Sequence, residues 1–203
     1  MAARRARVTP EPPTPEPPTR PIIAAGRVYL RPFEREDAPL YQRWRSDAAV
    51  IRLASLPPAP PSLAAVEQRI ERIAREQGSE GYAFVICLRE NGGRPIGEAS
   101  LFRLDRENGS AELGIFIGES EEWGKGYGTD AVNALVDFGF GELRLERVWL
   151  EVWTGNHRAR RAYEKAGFVP EGTLRRDRYE NGTFTDGDIM SILRDEWLAR
   201  RQA

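Results

Sequence analysis

Hydrophobic and polar positions along this chain follow two periods in turn. Arg27–Pro32 (RVYLRP) alternates like a strand, and Glu34–Arg45 then places Leu40, Tyr41 and Trp44 at helical spacing. The cluster Pro57–Pro61 breaks the chain. Ser62 stands as N-cap of a helix over residues 62–77, with Leu63, Val66, Ile70 and Ile73 on one face. Ala48–Pro61, between the helices, reads as a loop. Three strand-like runs follow, Tyr82–Arg89, Pro95–Leu104 and Ser110–Gly118. The turn signals Asn91-Gly92-Gly93 and Asn108-Gly109 separate them, which predicts an antiparallel meander. Gly126–Phe140 reads as a helix, Arg147–Trp153 as a buried strand, and Asn156–Ala166 as a helix closed by Gly167 in a left-handed C-cap. Phe168–Thr173 and Thr185–Leu193 supply the last strands. The predicted order is β-α-α-β-β-β-α-β-α-β-β, without internal repeat.

Composition narrows the class. Residues 1–21 hold seven prolines and few large apolar side chains, and read as an extended, disordered tail before a folded domain over residues 22–203. Thirty Lys and Arg against 31 Asp and Glu give a net charge of −1, so no global basic field draws the protein to nucleic acid or to a membrane surface. The chain has no run of about 18 apolar residues, so no membrane-spanning helix is expected. Arg4, Arg5 and Arg7 precede no apolar stretch, so a secretory signal is not expected. The single cysteine, Cys87, excludes an internal disulfide and fits a reducing compartment, so a cytoplasmic location is expected.

The most informative segment is Glu122-Trp-Gly-Lys-Gly-Tyr-Gly-Thr129, which follows a strand and opens a helix. Glycines let the backbone approach a ligand closely, and the helix start offers unpaired N–H donors at a positive dipole end. Such a loop holds a phosphate or pyrophosphate. The spacing fails for a nucleoside-triphosphate loop, because Gly126 follows Lys125 where a hydroxyl residue is needed. Gly126-x-Gly128-x-x-Ala131 matches the letters of a dinucleotide fingerprint, but Glu119–Trp123 intervenes after the strand and the upstream strands look hairpin-linked. A coenzyme A pyrophosphate loop is the third option.

The segment resembles the loop of the GNAT acetyltransferase superfamily, and more closely its Rim-type branch, with Trp123 where Gln or Arg is usual. A second segment, Asn156-His-Arg-Ala-Arg-Arg-Ala-Tyr163-Glu-Lys-Ala-Gly167-Phe168, resembles the same branch, with Ala159 where Ser is usual. Residues from Gly172 to Trp197 resemble its C-terminal part. The resemblance covers residues 27–198 or so. It implies an α/β fold of α+β type: a mixed, mostly antiparallel central sheet flanked by helices, with a V-shaped splay between the Glu112–Gly118 and Arg147–Trp153 strands.

Acetyl-CoA is then the expected cosubstrate, without a metal. Trp123, Gly124, Lys125, Gly126, Tyr127, Gly128 and Thr129 would face the pyrophosphate, with Arg160 as a further cofactor contact. The backbone of Ile115, Phe116 and Ile117 would hold pantetheine and polarise the thioester carbonyl. Asn156 would cap its helix and hydrogen-bond the pantetheine arm. Tyr163, seven residues later on the same helical face, would be the general acid for the departing thiolate, since a phenol is protonated at pH 7. Glu112 is the expected base for the amine, with Glu98 as the other candidate.

The acceptor is expected to be a primary amine: a protein N-terminus, a polyamine, an aminoglycoside or an amino acid. A homodimer is compatible with the resemblance. The competing readings are a CoA-binding regulatory module without turnover and a nucleotide-dependent oxidoreductase. Cys87 reads as inert core, His157 as a surface residue, the five tryptophans as core by default, and Arg175–Arg178 as a solvated face.

Overall fold

The alternating runs assemble into one eight-stranded sheet with helices on both faces. The computed structural model describes residues 23–54, 56–180 and 182–202; the expected tail over residues 1–21 and the start of the domain at Ile22 lie outside them. In chain order the elements are β1 (Ile23–Ala25), β2 (Val28–Arg31), α1 (Ala38–Trp44), α2 (Ala48–Leu53), α3 (Leu63–Glu76), β3 (Tyr82–Leu88), β4 (Pro95–Asp105) and β5 (Ser110–Ile117). Then come α4 (Tyr127–Gly141), β6 (Arg147–Trp153), α5 (His157–Ala166), β7 (Val169–Glu180), β8 (Thr183–Leu193) and α6 (Arg194–Gln202). The strand order is β1-β2-β3-β4-β5-β6-β8-β7. The β5–β6 pair is parallel and every other neighbouring pair antiparallel, so the predicted meander of β3, β4 and β5 is present.

Local signals account for most boundaries. The Ser62 hydroxyl accepts from Ala65 N at 3.2 Å and starts α3, which buries Val66 and Ile70. Each buried aliphatic side chain of this kind stabilises by about 1.5–3 kcal/mol. Gly167 closes α5 at φ 100°. On one face of the sheet α4 buries Ala131, Val132, Leu135, Val136 and Phe140 among Leu101, Leu113, Val148 and Leu150. On the other, Tyr41 and Trp44 of α1 and Val66 and Ile70 of α3 pack on Tyr29, Val85 and Cys87. Cys87 is fully buried and burial pushes its thiol upward, while His157 is exposed, both as expected.

Three expectations need correction. Residues 48–53 are helical rather than loop, because the Asp47 carboxylate accepts from Ala49 N and Val50 N and Val50 is buried. A short β1 precedes the predicted first strand, pairing Ile23 with Leu30. The last two strands run further than the pattern shows, since β7 pairs β8 through two register shifts that interrupt its alternation, and α6 follows them.

Candidate active site

The strand ladder opens at one place. Parallel pairing of β5 with β6 is confined to Ser110–Glu112 against Arg147–Trp149. Beyond it β5 runs on to Ile117 while α5 follows β6, so the two strands separate. Gly118 N donates to Ile96 O at 2.8 Å, which fixes the alternation along β5. The backbone groups of Gly118 and Phe116 turn toward β4, and those of Ile117 and Ile115 turn toward the gap.

The glycine segment closes the wide end. Gly124 and Gly126 have φ of 78° and 90°, a backbone that side chains other than glycine rarely adopt, and Gly126 is the N-cap of the 15-residue α4. The first amides of α4 have no partner within the helix and form the positive end of its dipole. Arg27 braces the loop by donating to Lys125 O at 2.8 Å and to Asp130 at 2.9 Å. Buried Glu122 accepts from Arg94 and, at 2.9 Å, from the Lys125 ammonium, and both hold its carboxyl below the usual carboxylate range. Trp123 Nε1 donates to Ile117 O at 2.8 Å, and the Arg158 guanidinium lies 4.3 Å from the Trp123 ring centroid.

Two cavities meet at the splay. One, of about 340 Å³, is lined by Ile115, Phe116, Ile117, Trp123, Gly124, Gly126, Tyr127, Gly128, Thr129, Asn156 and Tyr163. Most of the expected cofactor residues are therefore brought together. Lys125 and Arg160 are not on its wall. Lys125 faces Glu122, and Arg160 pairs with Asp188 at 2.5 Å and Glu164 at 3.1 Å. The cationic positions on the wall are instead Arg158, Arg161 and Lys165, all on α5. A β-carbon added at Gly124 or Gly128 would meet nothing within 4 Å, so the loop leaves open space beside its amides. That space, the amides and the α5 cations suit a diphosphate with a long pendant arm.

The second cavity, about 550 Å³, lies toward α1 and α3 and shares Ile115, Phe116, Asn156 and Tyr163 with the first. Glu98, Ser100 and Phe102 of β4 stand opposite Phe116, Gly114 and Glu112 of β5, so these six side-chain positions lie on one sheet face. A β-carbon at Gly114 would come within 2.9 Å of the Phe102 ring, so a larger residue there requires that ring to move. Glu98 is buried and accepts from Tyr41 Oη at 2.5 Å and Arg69 Nη2 at 3.0 Å; Arg69 Nε also donates to Tyr41 Oη at 3.0 Å. Glu112 is only 7% exposed and accepts from Arg103 at 2.8 Å. Desolvation pushes its carboxyl above the usual range, the nearby Glu151 pushes the same way, and Arg103 partly offsets both.

At the junction, Asn156 Oδ1 accepts from Ala159 N at 3.1 Å and caps α5, while Nδ2 donates to Leu53 O at 3.0 Å. One N–H and one lone pair of the amide remain. Tyr163 is 7% exposed, and burial alone pushes its phenol well above the ordinary value, which keeps it protonated. The α2 wall at Val50 and Leu53, whose sequence signal is Asp47, and the Tyr41–Glu98–Arg69 cluster, which joins three distant segments, lie outside the periodic pattern of the chain.

Comparisons with known proteins agree with this geometry. The family model described as acetyltransferase (GNAT) domain matches residues 27–169. The chain is 31% identical over 173 residues to the uncharacterized N-acetyltransferase p20 of Bacillus licheniformis, covering 84% of this chain and 95% of that protein. It is 29% identical over 179 residues to the spermidine N(1)-acetyltransferase of Escherichia coli strain K12, covering 88% and 92%. The crystal structure of spermidine N-acetyltransferase from Vibrio cholerae in complex with CoA and spermine superposes with a TM-score of 0.77 at 27% identity, covering 85% of this chain and 98% of that one. The splayed sheet, the glycine loop and these relatives together establish that the chain belongs to the GNAT acetyltransferase family and is an acyl-CoA-dependent N-acetyltransferase.

Proposed function

We propose that the protein acetylates a primary amine by direct transfer in a ternary complex, with the two reactants entering from the two cavities. The observation that carries this is their meeting at Ile115, Phe116, Asn156 and Tyr163, where the β5–β6 ladder opens. The amides at the start of α4 and the cations Arg158 and Arg161 would hold the diphosphate, and the gap-facing backbone of Ile115 and Ile117 the pantetheine arm. Acetyl-CoA supplies an activated thioester. Glu112, raised by burial, is suited to accept the proton of an incoming ammonium. Tyr163, kept protonated, is suited to give a proton to the leaving thiolate.

The acceptor in this reading is a small amine or a chain end narrow enough for the second cavity. The Rim-type resemblance favours a protein N-terminus. The spermidine acetyltransferase relatives and the wall carboxyls Glu76, Glu80, Glu98, Glu112 and Glu151 favour a polyamine.

Acetyl-CoA titration followed by thermal shift, then thiol release with a panel of amines, tests the proposal. A rise in melting temperature and amine-dependent CoA release are expected. Binding without release for any amine would leave only a CoA-binding module.

A further inference from the structure

The second cavity contains a cation that no described residue neutralises. Arg45, the C-cap of α1, lines this cavity, with its guanidinium 5.9 Å from the Tyr41 ring centroid. Its Nε is buried without a hydrogen-bond partner, and among the described residues no carboxylate pairs with it. The neighbouring arginines are occupied: Arg69 on Glu98 and Tyr41, Arg72 on Glu76 at 3.8 Å, and Arg103 on Glu112. A buried N–H left unmade is costly, and a guanidinium with a free fork matches a carboxylate through two parallel bonds.

The trough is polarised along the sheet. Arg45 stands at the Tyr41–Glu98 end. Glu112 and Glu151 stand near each other at the far end, four residues along β5 from Phe116, the partner of Glu98. Four residues of extended strand span ~13 Å.

We infer that Arg45 anchors a carboxylate carried by the acceptor, so that the preferred substrates are primary amines bearing an anionic group several bonds from the nitrogen. This rests on the acetyl-transfer reading above, with the amine placed where the two cavities meet. An ω-amino acid carries such a carboxylate at the end opposite its amine. The same chemistry is offered by a peptide N-terminus followed by an acidic residue. A polyamine offers nothing to Arg45.

The test uses the full chain with saturating acetyl-CoA and reads thiol release. ω-Amino acids of increasing length are compared with n-alkylamines of equal length, with spermidine, and with the peptides Ser-Glu-Ala and Ser-Gln-Ala. The expected result is a kcat/KM at least about tenfold higher for the carboxylate member of one pair. That ratio should fall to near one in Arg45→Gln, chiefly through KM, and be partly restored in Arg45→Lys. The amino-acid and peptide pairs tell the two sources apart. A ratio near one in the wild type, a ratio that survives in Arg45→Gln, or a preference for spermidine over every carboxylate would overturn the inference. Calorimetry with 6-acetamidohexanoate against N-pentylacetamide reads the same subsite without turnover. Equal affinities there also overturn it, whereas failure of acetyl-CoA to bind sinks the acetyl-transfer reading instead.

Discussion

Asn156 reaches across 103 residues of chain to donate a 3.0 Å hydrogen bond from Nδ2 to the Leu53 carbonyl. The same amide caps α5 through Oδ1, so one side chain ties the helix carrying Tyr163 to the end of α2, where the two cavities join. The two bonds can be separated. Asn156→Ser keeps an acceptor for the cap and loses the donor to Leu53, while Asn156→Ala loses both. Asn156→Ala is expected to cost about 1 kcal/mol more than Asn156→Ser in denaturant unfolding, the usual worth of a helix cap. Equal losses would mean that the cap contributes nothing.

Tyr163→Phe removes a hydroxyl and leaves the packing of the ring against Phe168, whose centroid is 5.9 Å away. Acetyl-CoA affinity and melting temperature should hold, while kcat falls ~10²-fold or more, the range for loss of a general acid. Steady-state thiol release beside a thermal-shift titration checks this. Unchanged kcat removes Tyr163 from the proton path.

Glu112 makes a statement about pH. Its carboxyl is raised, chiefly by desolvation, and it accepts a proton only when ionised. The rate under kcat/KM conditions should therefore climb with pH through that raised value and then level. Glu112→Gln should abolish this acidic limb and lower the plateau ~10²-fold. A limb that persists at the same position in the variant would assign it to another group.

The glycine loop permits a test in which stability and binding move apart. Gly128 has open space around an added β-carbon and lies in the first turn of α4. Gly128→Ala should hold or raise stability by about 0.5 kcal/mol yet weaken acetyl-CoA binding at least tenfold, because the new methyl takes space used by the ligand. Gly126→Ala differs, since its φ is 90° and a β-carbon would lie 2.7 Å from Arg27 Nη2. There a loss of about 1–2 kcal/mol is expected. Calorimetry and thermal melts on both variants distinguish the effects, and undiminished affinity in Gly128→Ala would place the diphosphate elsewhere.

Elements whose signals are local could be read directly from the chain. Ser62, Asn156 and Gly167 mark helix ends through their own side chains or lack of one, and the Asn91–Gly93 turn joins two alternating runs. The glycine loop and the Asn156–Tyr163 spacing are local in the same sense, so they could be read as chemistry before any fold was known. Contacts between distant segments emerge only once the chain has folded. Arg160 and Arg158 are equally plausible from their place in α5, but Asp188 on β8 draws Arg160 away and Trp123 draws Arg158 onto the cavity wall. The Tyr41–Glu98–Arg69 cluster and the unpaired Arg45 likewise depend on how α1 and α3 settle on the sheet. Charge pairing acts over a few ångströms in space, and no periodicity along the chain encodes which side chains the folded sheet brings that close.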